Sequence, residues 1–127
     1  MALPFDPREA FIALPMRVFG PNGELILRFL LDTGSTISLL GWDAAMRLGY
    51  EPDDLSNRIQ TITASSLEVS HRIVIEKIEA LGQERLYHSM LCRPLPSILD
   101  IDGVLGLDFF QGHKLTIDFR IGLITLE

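Results

Sequence analysis

The 127-residue sequence predicts a mostly β protein, a small closed or half-closed barrel with two short helices. Short aliphatic and β-branched runs follow one another, separated by Gly, Pro and Asn turn signals. Only two stretches have a helical character. No β-α-β alternation is present, which disfavours a doubly wound parallel sheet.

The elements are read in chain order. Residues 1–15 are expected to form an irregular arm and the start of the first strand, and residues 16–127 a single domain. The segment "FIALPMRVFG" reads as a strand, with Pro15 marking an edge or bulge. The turn "PNG" at 21–23 favours positive φ. The return strand "ELILRFLLD" is almost continuously apolar, so both of its faces are expected to be covered. "GWDAAMRLG" is a short helix with Asp43 near its start, Arg47 near its end and Gly49 as the cap. "RIQTITASSLEVSHRIVIEKIEAL" reads as a hairpin whose tip falls at Ala64-Ser65-Ser66. "LGQE" is a turn and "RLYHSMLCR" a further strand. Pro94 and Pro96 mark a loop. "SILDIDGVLG" reads as a buried strand carrying carboxylates, leading into one helical turn at "LDFFQG". A closing hairpin, "HKLTIDF" and "LITLE", ends the chain.

Composition narrows the function. Apolar residues make up 47% and charged residues 22%, values that fit a packed core and exclude a disordered chain. The net charge of −6, with Lys and Arg scattered singly, argues against nucleic-acid binding. The single cysteine, Cys92, excludes an internal disulfide and a cysteine zinc cluster. His71, His88 and His113 have no metal-ligand spacing, so neither metal nor cofactor is expected. No window reaches the roughly 20 apolar residues of a membrane span. The start of the chain does not read as a signal peptide. A cytoplasmic protein, or a domain of a longer one, is the expectation.

The chemistry centres on "LLDTGST". Asp32 ends an apolar run and is followed by small hydroxyl residues and Gly34. A carboxylate there can accept bonds from the Gly34 N–H and the Ser35 hydroxyl, which favour its ionised form, whereas an apolar surround does the opposite. Two such carboxylates facing one another could share a proton and hold a water between them. One would then take the water's proton while the other donates to a carbonyl oxygen.

"LLDTGST" resembles the catalytic loop of aspartic proteases. "GVLGLDFF", residues 103–110, resembles that family's second signature, with Val104, Leu105 and Gly106 at the matching positions. "TIDFRIGLITLE" is similar to the closing hairpin of retropepsin-like, single-domain members. The resemblance spans about residues 16–127. It implies that Asp32 is the catalytic aspartate and that the Thr33 hydroxyl bonds across to a partner's loop. It implies that Gly34 donates its N–H and that Ser35 bonds the outer carboxylate oxygen, giving a more acidic working range than an alanine would. Thr63, Ala64, Ser65 and Ser66 fall where the flap tip belongs, although a glycine is usual there.

The family mechanism needs two aspartates, and this motif occurs once. The resemblance therefore implies a homodimer acting on an extended peptide or protein substrate, with one Asp32 from each chain. Asp100, Asp102 and Asp108 lie near the second signature. Asp102 reads as a turn residue, Asp108 as the start of a helical turn, and Asp118 as a solvated strand residue or an arginine partner. Two other readings stand beside the endopeptidase. One is phosphate chemistry, for which the helices are too few. The other is a catalytically silent protease-fold module for peptide binding or dimerisation.

Overall fold

The computed structural model describes residues 1–51, 58–62 and 67–127. The strands are β1 (Ala2–Pro4), β2 (Ala13–Gly20), β3 (Gly23–Leu31), β4 (Leu39–Gly41), β5 (Arg58–Ile62), β6 (Leu67–Ala80), β7 (Gln83–Arg93), β8 (Gly103–Leu105), β9 (Leu115–Asp118) and β10 (Leu123–Leu126). Two short helices interrupt them, α1 (Trp42–Arg47) and α2 (Leu107–Phe110).

The larger sheet runs β2-β3-β8-β4-β7-β6-β5, and a β2–β6 pairing closes six of these strands into a barrel. β2 and β3 form the expected hairpin, from Ala13↔Leu30 to Gly20↔Gly23, with Gly23 at positive φ. β6 and β7 pair antiparallel from His71↔Cys92 to Ala80↔Gln83 around a two-residue turn, in which Leu81 and Gly82 both have positive φ. The two parallel pairings, β3 with β8 and β4 with β7, lie beside one another in this order.

Alternation builds the interior. On β2, Leu14, Met16 and Val18 are buried while Pro15 and Arg17 face outward. Leu27 and Phe29 of β3, Ile75 and Ile78 of β6, Met90 and Cys92 of β7, Leu105 of β8 and Phe109 of α2 complete the same core. Each such aliphatic or aromatic side chain contributes about 1.5–3 kcal/mol on burial. Burial pushes the Cys92 thiol up to about 12, so it is a core residue and not a nucleophile.

Closure depends on one tyrosine beyond the ladder itself. The β2–β6 pairing runs only from Arg17↔Glu79 to Phe19↔Lys77. Past its end, the Tyr50 hydroxyl donates to the Phe19 carbonyl and accepts from the Glu76 N–H. A side chain thus replaces the next ladder bond. Burial holds the Tyr50 hydroxyl above its ordinary pKa, and it stays neutral and able to donate.

Three expectations are corrected. The arm is not wholly irregular: β1 pairs with β10, which pairs in turn with β9. β3 is covered mainly on one face, with Ile26 66% exposed, because only alternate residues point into the barrel. The segment 97–106 is a strand only over Gly103–Leu105; Ser97–Leu99 is a 3-10 turn ended by Asp100 at φ 50°. Asp102 stands just before β8, and its Oδ2 accepts the Arg28 N–H of β3 at 2.8 Å.

Tyr50→Phe should destabilise the fold by about 1–2 kcal/mol, since it strips a partner from two backbone groups at the barrel seam. Denaturant unfolding measures this. An unchanged midpoint would show that the seam closes without the hydroxyl.

Candidate active site

β3 ends at Leu31, and the chain then folds back across β8. The Asp32 N–H donates to the Leu105 carbonyl at 3.0 Å, which sets the residue at the end of the β3–β8 pair. A tight turn follows, in which the Ser35 N–H donates to the Asp32 carbonyl at 3.1 Å. Inside it the Gly34 N–H donates to Asp32 Oδ1 at 2.9 Å. A Cβ on Gly34 would lie 3.2 Å from that same oxygen, tighter than ordinary contact. Asp32 is half-buried and Thr33 is exposed. Among the described residues the Thr33 hydroxyl has no hydrogen-bond partner.

Ser35 departs from the role the resemblance implies. Its hydroxyl donates to the Ile37 carbonyl at 2.9 Å and not to the carboxylate. A serine hydroxyl carries one proton, so this bond excludes the other.

The second signature lies directly behind this loop. Val104 pairs with Leu30 and Leu105 with Leu31. The Leu107 N–H donates to the Ser35 carbonyl at 2.8 Å. The Gly106 N–H donates to the buried Ser38 Oγ at 2.9 Å. A Cβ on Gly106 would stand 2.6 Å from the Ser35 carbonyl oxygen and 3.1 Å from the Ile37 carbonyl carbon, both backbone atoms that cannot swing away.

Sequence reasoning missed the group that completes this frame. Asp108 Oδ1 accepts the Ser38 N–H at 2.9 Å and the Ser38 hydroxyl at 2.7 Å. Its Oδ2 meets His88 Nε2 at 2.9 Å. Burial pushes the Asp108 carboxyl upward, but the bonds from His88 and Ser38 outweigh it and hold the group below its ordinary value. The stabilisation this gives is therefore complete above the ordinary carboxylate range. It is lost as pH falls through the lowered folded value. Asp108 lies in the first turn of α2, but its link to His88 crosses to β7 and leaves no local signature. Asp102 faces β3, and Asp118 accepts the N–H groups of Arg120 and Ile121 in the closing turn.

A groove of about 510 Å³ opens beside the loop, lined by Leu30, Leu95, Leu99, Ile101 and Val104 among others. A second cavity of about 520 Å³, between Met1, Pro15, Arg17 and Gly82, includes neither Asp32 nor its loop. Neither lining includes residues 32–38, but the groove reaches the β3–β8 pair from which the Asp32 loop leaves, through the paired Leu30 and Val104. Residues 63–66, expected at a flap tip, lie outside the described residues; the strands they join, β5 and β6, pair antiparallel up to Ile62↔Leu67.

Gly106→Ala should cost about 2–3 kcal/mol, because the new methyl group forces two backbone segments apart. Denaturant unfolding would expose it, and a neutral result would mean that the loop is not pressed against the second signature.

Comparison with known proteins places this arrangement. The sequence profile of the family described as aspartyl protease matches residues 14–109, from the first barrel strand to the helix after the second signature. No curated protein matches the chain in sequence. Solved structures match in fold. A retropepsin-like aspartic protease from Rickettsia conorii has a TM-score of 0.72 at 22% identity, covering 99% of this chain and 89% of that one. EIAV protease, complexed with the inhibitor HBY-793, has a TM-score of 0.60 at 23% identity, covering 87% and 96%. The retroviral protease-like domain of Ddi1 from Leishmania major also has a TM-score of 0.60, at 15% identity, covering 94% and 90%. With a retropepsin-like barrel and a profile match that includes both the Asp32 loop and the strand behind it, the chain belongs to the aspartyl protease family.

Proposed function

We propose that the protein is an aspartic endopeptidase that hydrolyses peptide bonds with a water activated between two Asp32 carboxylates, one from each subunit of a homodimer. The observation that carries this reading is how Asp32 is presented. Its carboxylate takes one bond from the turn that holds it, at Gly34, and nearby carboxylates are committed elsewhere. Asp108 is held by Ser38 and His88, Asp102 by the Arg28 N–H, and Asp100 by ion pairing with Arg28. A second chain is then the natural source of the partner aspartate.

In that dimer one Asp32 is ionised and the other protonated, because two like charges in contact disfavour full ionisation. The ionised member takes a proton from the water as it attacks the peptide carbonyl. The protonated member donates to the carbonyl oxygen. The tetrahedral diol then collapses as a proton passes to the leaving amine. The exposed Thr33 is available to bond the partner's loop. Leu107, 41% exposed beside Ser35, adds an apolar surface next to it. Within the chain β1 and β9 already fill both edges of β10, so a partner meets that terminal sheet as a formed unit.

The groove beside Leu30 and Val104 suits apolar substrate side chains. In this reading the β5–β6 hairpin, with Thr63, Ala64, Ser65 and Ser66 at its tip, covers the bound peptide. A second reading rests on β5, which ends the sheet order and has one edge open to an added strand among the described residues. That arrangement suits a silent peptide-binding module.

Asp32→Asn should lower peptide cleavage by about 10³-fold or more while leaving the unfolding midpoint and the dimer mass in place. A wild type that binds peptides but cleaves none between acid and neutral pH would favour the binding module. Ser35→Ala tests the reassigned hydroxyl. The acidic limb of the pH–rate profile should stay in place, with a stability loss of about 1 kcal/mol from the missing bond to Ile37. A displaced acidic limb would restore Ser35 to the carboxylate.

A further inference from the structure

We propose that Asp108, acting through Ser38, is a positioning residue for the Asp32 loop, and that its bond to His88 keeps the loop seated as the solution becomes acidic. The kinetic part of this inference rests on the protease reading; the structural part does not.

The loop leaves β3 at Asp32 and rejoins the sheet at Leu39. Its near end is tied down by the Asp32 N–H on Leu105. Its far end depends on Ser38, which is fully buried. There the hydroxyl donates to Asp108 Oδ1 and accepts from the Gly106 N–H, while the Ser38 N–H donates to the same carboxylate oxygen. Without the Asp108 acceptor, two buried donors on one residue lose their partner together. A buried donor left unpaired is costly, so the loop would shift to find one. Displacements of about 1 Å at a reacting group cost on the order of 10²-fold in rate.

The His88 contact has a definite sense. An ionised carboxylate only accepts, so His88 Nε2 carries the proton in this pair. Protonating the other ring nitrogen adds a positive charge without breaking the bond. The contact is therefore kept in either state of the ring, and fails when Asp108 itself takes up a proton. The other charged groups nearby are engaged elsewhere. Arg85 of β7 donates to the Phe109 carbonyl and approaches His113 Nδ1, and Arg72 of β6 donates to Ser89 Oγ. Asp32 stands at the opposite end of the loop, at Gly34.

Asp108→Asn reverses that sense. An amide oxygen still serves Ser38, but the amide N–H₂ now faces His88 Nε2, which must be unprotonated to accept. Protonated His88 would oppose donor to donor. Amide hydrogen-exchange protection at Ser38 and Gly106, corrected for intrinsic exchange, should stay level in the wild type from about pH 8 to about pH 5. In the Asp108→Asn variant it should fall about tenfold across that range, the effect of one lost hydrogen bond. His88→Gln, whose amide donates to the carboxylate without titrating, should stay level like the wild type. In peptide cleavage, kcat of Asp108→Asn should fall about tenfold more than the wild type's across the same range, with KM within about twofold. Asp108→Asn protection that parallels the wild type, or a His88→Gln variant that loses protection, overturns the inference. The predicted protection profile in a wild type that cleaves no peptide would support the positioning role and count against the protease reading alone.

Discussion

The closure of loop 32–38 onto residues 105–108 is the constraint on which the Asp32 site depends. Backbone bonds tie its near half to residues 105–107, from Asp32 to Leu105 and from Leu107 to Ser35. At the far end the Ser38 carbonyl accepts the Leu91 N–H, but the buried Ser38 N–H and hydroxyl bond a side chain, because the next strand has not yet begun. Asp108 supplies the acceptors there. Gly106 lets the two segments approach closely enough for all of these bonds to form at once.

The barrel exists, in effect, to bring those two segments together. Residues 31 and 105 are far apart in sequence, and a parallel β3–β8 pairing makes them neighbours. Parallel neighbours need a long crossover, and here it runs through α1 and the β5–β6–β7 strands. Closure of β2 on β6 then holds the crossover against the first hairpin, with Tyr50 bridging the place where the ladder runs out. A core of aliphatic and aromatic side chains from nearly every strand fills the inside.

Local pattern was a sound guide wherever one face met the core. The hairpins at Gly23 and Gly82, the helix ended at Gly49, and the closing hairpin around Asp118 all follow from turn residues and alternation. It was a poor guide where an apolar run did not mean burial. Ile26 is exposed, and Ile98 is 89% exposed, although both stand in runs that read as covered. Residues 2–4 carry little strand signal of their own and become β1 because β10 offers an open edge. The Asp32-Thr33-Gly34 turn was legible for a physical reason: a carboxylate and a glycine two residues apart make their bond locally.

By itself the sequence determined a mostly β chain, the place of the Asp32 turn and the strand expected behind it. Each of these is written in residues within a few positions of one another. Only the tertiary structure decided which hydroxyl does what. Ser35 turns to Ile37, while Ser38, unremarked in the sequence, joins Asp108, which is linked in turn to His88. The reason is that a hydroxyl's single proton goes to whichever acceptor the fold brings within reach, and those acceptors come from segments far away along the chain.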